Sequence, residues 1–304
     1  MNLDDFIKQS DIPEKCSDNL ELCKLDEGSF KKVYRYKQTE GTITKITIFT
    51  KQKKFNYFDP IKTWKILNEI EDKQYLLLPD AVKYDKNYIY AQFTYCQSDL
   101  TKSMDLINQS DLNNSTSLKD QSLYMLDSKT RNQLDQELQT NFLGLEETIK
   151  NIHDEGPHTL DIKPENMLFN CENKAKIVLT DLDGAGLSFT TNFTWFGLNE
   201  KDQDFFALYV SIFEILDPTF FNKLPKSNSM VYSKHYLYGQ NDPKRWIKYC
   251  EEQIKDLITG KYAKEIASSL IPKLKKMLRV PEEEKIEEEK IEHVNTTSYF
   301  NLKF

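Results

Sequence analysis

In residues 152–184, IHDEGPHTLDIKPENMLFNCENKAKIVLTDLDG, one short loop carries an acid, a lysine and an amide, and two further carboxylates follow an apolar strand. Asp161, Lys163 and Asn166 stand in the spacing D-x-K-x-x-N, so a single tight turn can present a base, a cation and a metal-binding carbonyl to one phosphate. Moving a terminal phosphate requires its charge to be neutralised and its acceptor held in line, so placed ions matter more than a covalent nucleophile. Met167-Leu168-Phe169 and Lys176-Ile177-Val178-Leu179-Thr180 read as two short strands around a turn at 170–174, and the second delivers Asp181.

This stretch resembles the catalytic loop and metal-binding loop of eukaryotic-type protein kinases. Asp161-Ile162-Lys163-Pro164-Glu165-Asn166 matches the family's D-[LI]-K-P-E-N string. The resemblance implies that Asp161 orients the acceptor hydroxyl and takes its proton, that Lys163 steadies the γ-phosphate, and that Asn166 and Asp181 hold the Mg2+ or Mn2+ of bound ATP. The family's D-F-G motif appears as Asp181-Leu182-Asp183, with Gly184 one place late; Asp183 competes for the metal role or binds a second ion. Thr159-Leu160 replaces the family's His-Arg before the acid. Without that arginine, a phosphate on the activation segment has no partner in the loop, so the enzyme is expected to be constitutive or to be controlled by an activating ligand or host partner.

Upstream, Leu20–Tyr36 alternates around a turn at Gly28 and looks like the family's glycine-rich loop. Only the middle glycine of G-x-G-x-[FY]-G-x-V survives in Asp26–Val33, where Gly28 and Ser29 would approach the phosphates and Lys31 adds a charge at the third glycine's place. The strand Gly41–Thr50 should supply the lysine for the α- and β-phosphates. Lys45 is the choice, in T-I-T-K-I, with Lys51 and Lys53 as runners-up. Ile61, Trp64, Ile66, Leu67 and Ile70 recur at helical spacing after Asp59-Pro60, which predicts the helix whose glutamate pairs with that lysine. No glutamate stands at the expected place; Glu69 or Glu71 substitutes, or the pair is absent. Val82–Tyr84 and Tyr88–Tyr95 complete five strands. Phe93–Cys96 is then the hinge, Tyr95 and Cys96 taking the adenine through backbone groups, and Asp99 meets the ribose or caps a helix.

Downstream, Leu134, Leu138, Phe142, Leu145, Ile149 and Ile152 predict a long helix from Thr130 to His153 that feeds the catalytic loop. Asp204-Phe205-Phe206-Ala207-Leu208 resembles the start of the helix whose aspartate braces that loop. The span between Asp181 and Asp204 is short for the family, and no A-P-E motif precedes Asp204. Helices are also expected over 242–259 and 262–278, followed by the charge run PEEEKIEEEKIEH.

The resemblance implies an α+β, two-lobed protein kinase-like fold. Residues 1–97 form a small β-rich lobe with one main helix, 98–280 a larger helical lobe with a polar insertion at about 108–128, and 281–304 a charged tail. The implied activity is ATP-dependent transfer to a protein hydroxyl, of the serine/threonine type, with a small-molecule or lipid kinase and a pseudokinase binding module as alternatives. The departures from the family pattern are reminiscent of divergent kinases, including those that pathogens inject into host cells.

Composition agrees with a globular enzyme: 304 residues, 39% hydrophobic and 29% charged. A formal net charge of −7 argues against a nucleic-acid partner. The longest apolar run, Phe205–Phe213, is too short to span a bilayer. The five cysteines are odd in number, scattered and without a C-x-x-C pair, which indicates neither zinc nor a disulfide framework and points to a reducing, cytoplasmic setting. Lys273, Lys275, Lys276 and Arg279 form a small basic cluster that could take an activating contact.

Overall fold

The computed structural model describes residues 1–17, 19–28, 31–54, 59–99, 128–158, 160–171, 174, 177–184, 195, 197–216, 243–256 and 261–281; at 97–99, 128–134, 170, 184, 253 and 256 it describes the backbone alone. Ser29, the stretch 108–127, Thr159, the hydroxyl residues Ser188, Thr190, Thr191 and Thr194, the tail from 282 and the Asp99 side chain therefore lie outside the described residues. The chain is a mixed α+β protein, with an antiparallel sheet in its N-terminal third and helices beyond.

Alternation of β-branched and aromatic residues builds the first sheet. Strands β1 (Leu22–Glu27), β2 (Lys31–Glu40), β3 (Ile43–Lys53), β4 (Ala81–Tyr84) and β5 (Tyr88–Thr94) pair antiparallel in the order β1-β2-β3-β5-β4. A two-residue turn, Gly41-Thr42, joins β2 to β3, and Gly41 takes the positive φ of 62° that such hairpins require. That turn sets the register, which places Lys31 opposite Gln52, Val33 opposite Thr50 and Gln38 opposite Lys45.

The two faces of this sheet have different partners. Tyr34, Phe49 and Tyr90 lie under α1 (Leu3–Ile7), whose Leu3 and Phe6 close a small core; Phe6 stacks on Phe49 at 4.6 Å. This helix was not anticipated, because an acidic N-terminus hides only two core residues. On the other face, Ile89, Ala91 and Phe93 pack against Trp64 of α2 (Pro60–Glu69). Asp59 caps α2 by accepting from Ile61 N and Lys62 N, at 3.1 and 3.4 Å, and Pro60 occupies the first turn. The helix ends at Ile70, where the backbone turns extended, earlier than periodicity suggested.

A second sheet, β6 (Cys96–Asp99), β7 (Met167–Cys171) and β8 (Ile177–Leu179), runs antiparallel in that order. The long helix α3 (Ser128–Asp154) buries Leu138, Phe142, Leu145, Ile149 and Ile152 along one stripe, as the sequence period predicts. Helix α4 (Glu200–Leu216) is buried on nearly every side and forms the centre of the helical region, with α5 (Pro243–Asp256) and α6 (Lys261–Met277) against it. No described helix is long and apolar enough to cross a membrane.

The segment after α2 ties the two regions together. Tyr75 O accepts from Leu179 N at 2.8 Å, and Leu77 N donates to Leu179 O at 2.9 Å, so this stretch adds to β8. The Tyr75 ring lies on α3 at Gly144, where a Cβ would meet ring carbon Cζ at 2.0 Å; only glycine admits the ring.

Two expectations are corrected here. Cys16–Cys23 and Cys96–Cys171 are disulfides, and Cys250 alone among the five cysteines is free, so the argument for a reducing compartment loses its basis. Cys96 and Cys171 are 75 residues apart in sequence and meet because β6 and β7 set them directly opposite. The basic cluster is also partly spent: Lys273 pairs with Glu146, which also accepts from Tyr209 Oη at 2.6 Å, and Lys275 pairs with Glu251 at 2.8 Å.

Candidate phosphate and metal site

The loop after α3 is held from below. Asp204, the fifth residue of α4 and fully buried, accepts from Leu160 N at 2.8 Å through Oδ1, and its Oδ2 lies 2.8 Å from His153 Nε2. His153, at the end of α3, therefore reaches Leu160 through Asp204, and its ring also packs edge-on against His158, 5.1 Å between centroids. Leu160 is buried, so the position before Asp161 presents an apolar anchor and no charge.

Asp161 follows with φ of 47°, in the left-handed region that aspartate enters more readily than most non-glycine residues. Its Oδ2 accepts from Lys163 Nζ at 2.8 Å and from Asn166 Nδ2 at 3.2 Å, and Asn166 Nδ2 also donates to Asp161 O at 3.0 Å. Asp161 Oδ1 is buried and has no hydrogen-bond partner among the described residues. Burial pushes the Asp161 carboxyl above the ordinary aspartate value despite Lys163 beside it, and the charge of Asp181 adds to the shift.

Backbone bonds fix the second loop to the first. Asn166 N donates to Lys163 O, Pro164–Asn166 form a 3-10 turn, and Thr180 N donates to Asn166 O, each N···O distance being 2.9 Å. Asp181 then takes φ of 59°, and Leu182–Gly184 form another 3-10 turn beside α2. Three described non-glycine residues have positive φ, and two of them are Asp161 and Asp181.

The cation at these carboxylates comes from β2. Lys31 Nζ bonds Asp181 Oδ1 and lies 3.1 Å from Asp183 Oδ1. Although burial works against its charge, the two carboxylates keep the Lys31 ammonium protonated well above the ordinary lysine value. Burial pushes Asp183 up, whereas Lys31 outweighs burial at Asp181 and holds that carboxyl below its ordinary value. Asp181 is thus the more exposed member of the pair and Asp183 the buried one.

Lys45 is not brought to this site. Odd-numbered residues of β3 share the α1 face, and Lys45 lines a pocket there with Tyr36, Gln38, Thr47, Gln92 and Thr94. Lys51 lies over the Tyr88 and Tyr90 rings on that face, at 4.4 and 5.7 Å, and Lys53 shares its parity. On the opposite face β3 presents Ile48, Thr50 and Gln52, and no lysine. Glu69 and Glu71 are exposed and form no ion pair among the described residues. Lys31 was visible in the sequence as an added charge, but only the strand register shows that it, and not Lys45, faces Asp181 and Asp183.

The remaining expected residues fall as follows. Gly28 N closes the β1–β2 turn on Lys31 O at 2.8 Å, and a Cβ at Gly28 would meet nothing closer than 3.7 Å. Tyr95 links β5 to β6, and Cys96 is buried in its disulfide. For a divalent cation, the donors at hand are the Asp181 and Asp183 carboxylates and the Asn166 amide, hard oxygen groups beside which an ammonium already sits. Among the described residues no cluster of three His, Cys, Asp or Glu forms an all-protein cage. Such a set fits Mg2+ or Mn2+ shared with a ligand's phosphates, not a structural metal.

No protein-family model matches the sequence, and no curated protein matches it. Among solved structures, the chain is similar to the crystal structure of Rad53 1-466 in complex with AMP-PNP, at 18% sequence identity and a TM-score of 0.48, over 83% of this chain and 60% of that one.

Proposed function

We propose that this protein is an ATP-dependent phosphotransferase of the protein kinase type that moves the γ-phosphate of Mg2+- or Mn2+-bound ATP to a serine or threonine hydroxyl of a protein. The observation that carries the reading is the meeting of Lys31, Asp181 and Asp183 next to Asp161, whose Oδ1 is buried and without a hydrogen-bond partner among the described residues. In this reading residues 1–97 hold the nucleotide, 98–280 carry the transfer loops, and 281–304 are a charged tail. Asp161 Oδ1 accepts the proton of the acceptor hydroxyl, and Asn166 and Lys163 hold the other oxygen, which leaves Oδ1 as the oxygen without a partner among the described residues. Lys163 also places positive charge where the moving phosphate gains negative charge. Asn166, Asp181 and Asp183 would hold the metal ion, which when bound supplies charge neutralisation to the phosphates. Lys31, not Lys45, takes the phosphate oxygens. The hinge at Tyr95 and Cys96, with Asp99, remains the proposed seat of the adenine and ribose.

The test is incubation of the purified chain with γ-labelled ATP and Mg2+ or Mn2+, using peptide arrays and small hydroxylated acceptors as substrates. Label on serine or threonine that disappears in Asp161→Ala and Asp181→Ala supports the proposal. Label confined to small acceptors replaces the protein substrate with a small one, and nucleotide binding without transfer in any arm reduces the chain to a binding module.

A further inference from the structure

Beside Lys31 stands a buried group that the chemistry above leaves unused. Gln52 of β3 is directly opposite Lys31 on β2 and opposite Ile89 on β5. Directly opposed residues of an antiparallel pair project from one face, with Cβ atoms about 4.5–5.5 Å apart. Gln52 is 3% exposed, and its Oε1 finds no hydrogen-bond donor among the described residues. Native interiors keep few such orphans, because an unsatisfied buried acceptor carries the full cost of its lost water. Meanwhile Lys31 spends two of its three ammonium donors on Asp181 and Asp183. Helix α2 brings no acid to steady this lysine: Trp64 and Leu67 are its buried side chains toward the core, and Glu69 points to solvent.

We infer that Gln52 is the positioning residue for Lys31 in the nucleotide-bound state, which rests on the nucleotide reading above. A metal–phosphate group arriving at Asp181 and Asp183 competes with Lys31 for those oxygens. The ammonium then turns one donor to the phosphate and another to Gln52 Oε1, which holds it in place. A neutral acceptor suits this position. A buried carboxylate there would still accept from the ammonium but would add a large desolvation cost to the fold.

The inference separates stability from binding. Gln52→Leu removes the orphan acceptor, so without nucleotide its melting temperature should equal or exceed that of the parent chain. Its dissociation constant for Mg2+–AMP-PNP, read by calorimetry, should rise on the order of ten- to a hundredfold, the worth of one hydrogen bond to a charged group. Gln52→Glu keeps an acceptor and should bind the analogue more tightly than Gln52→Leu. In turnover, Gln52→Leu should raise KM for ATP more than it lowers kcat. An unchanged dissociation constant in Gln52→Leu, or a lower melting temperature with unchanged binding, would make the amide a structural group and overturn the inference. Equal binding by the Glu and Leu variants would overturn it too. If the parent chain binds no analogue, the nucleotide reading fails and this inference falls with it; if the parent binds and the variants match it, this inference alone falls.

Discussion

Lys31 and Lys45 differ in sequence by little more than position, and a strand's two-residue period decides between them. Lys45 shares its face with Phe49, under α1, whereas Lys31 shares its face with Thr50 and Gln52 and reaches Asp181 and Asp183. Lys31→Met should therefore weaken Mg2+–ATP binding by at least tenfold, and Lys45→Met by far less, as read by calorimetry on both purified variants. The opposite ranking would return the phosphate role to Lys45. Asp161 supports a second prediction at this scale. Its folded-state carboxyl titrates above the ordinary value because of burial, so its contribution to stability is present at low pH and is lost as pH rises through that raised value. At neutral pH the ionised residue thus costs stability. Asp161→Asn should melt at a higher temperature than the parent at pH 7, with the gap closing toward pH 4, while transfer falls by ~10²–10⁴. In the parent, the rate should drop on the acid side as Asp161 takes up its proton. A variant that is less stable at pH 7 would show that Lys163 outweighs burial.

Among the elements, α4 does the most to shape the site, since it is the buried centre of the helical region and carries Asp204. Leaving a buried donor unsatisfied costs about 1–3 kcal/mol, and Asp204→Ala strands both Leu160 N and His153, so it should lose at least about 2 kcal/mol in denaturant unfolding. Leu160 makes a different point. It is buried where the resembled family has an arginine, so a phosphate on the segment after Gly184 gains no charged anchor from it. Alanine at Ser188, Thr190, Thr191 and Thr194 together should leave the transfer rate within about twofold of the parent, the change expected of substitutions outside a switch. A large loss restored by phosphomimetic residues would make the segment a phosphorylation switch.

At the scale of the whole molecule, the disulfide Cys96–Cys171 joins β6 to β7 within the second sheet and so closes the chain on itself across 75 residues. Alkylation of denatured protein without reductant should label one thiol, Cys250, and with reductant all five. Reduction, or Cys96→Ser with Cys171→Ser, should lower stability by ~2–4 kcal/mol. Three or more thiols labelled before reduction would refute the pairing.

What the sequence determined by itself was local. The catalytic-loop spacing from Asp161 to Asn166, the five strands, the long helix into the loop and Asp204 beneath it are all periods or strings a few residues long, and the backbone realises them almost where periodicity puts them. What only the tertiary structure decided depends on pairings between distant parts of the chain. Which lysine faces Asp181 follows from the register that the Gly41-Thr42 turn imposes, since a one-residue shift sends every side chain to the other face. Which cysteines meet follows from β6 lying beside β7, across 75 residues of chain. The burial that raises Asp161 and Asp183, and that leaves Gln52 Oε1 without a donor among the described residues, exists only once sheet and loops are packed together, because desolvation belongs to an assembled surface and not to any residue's neighbours in sequence.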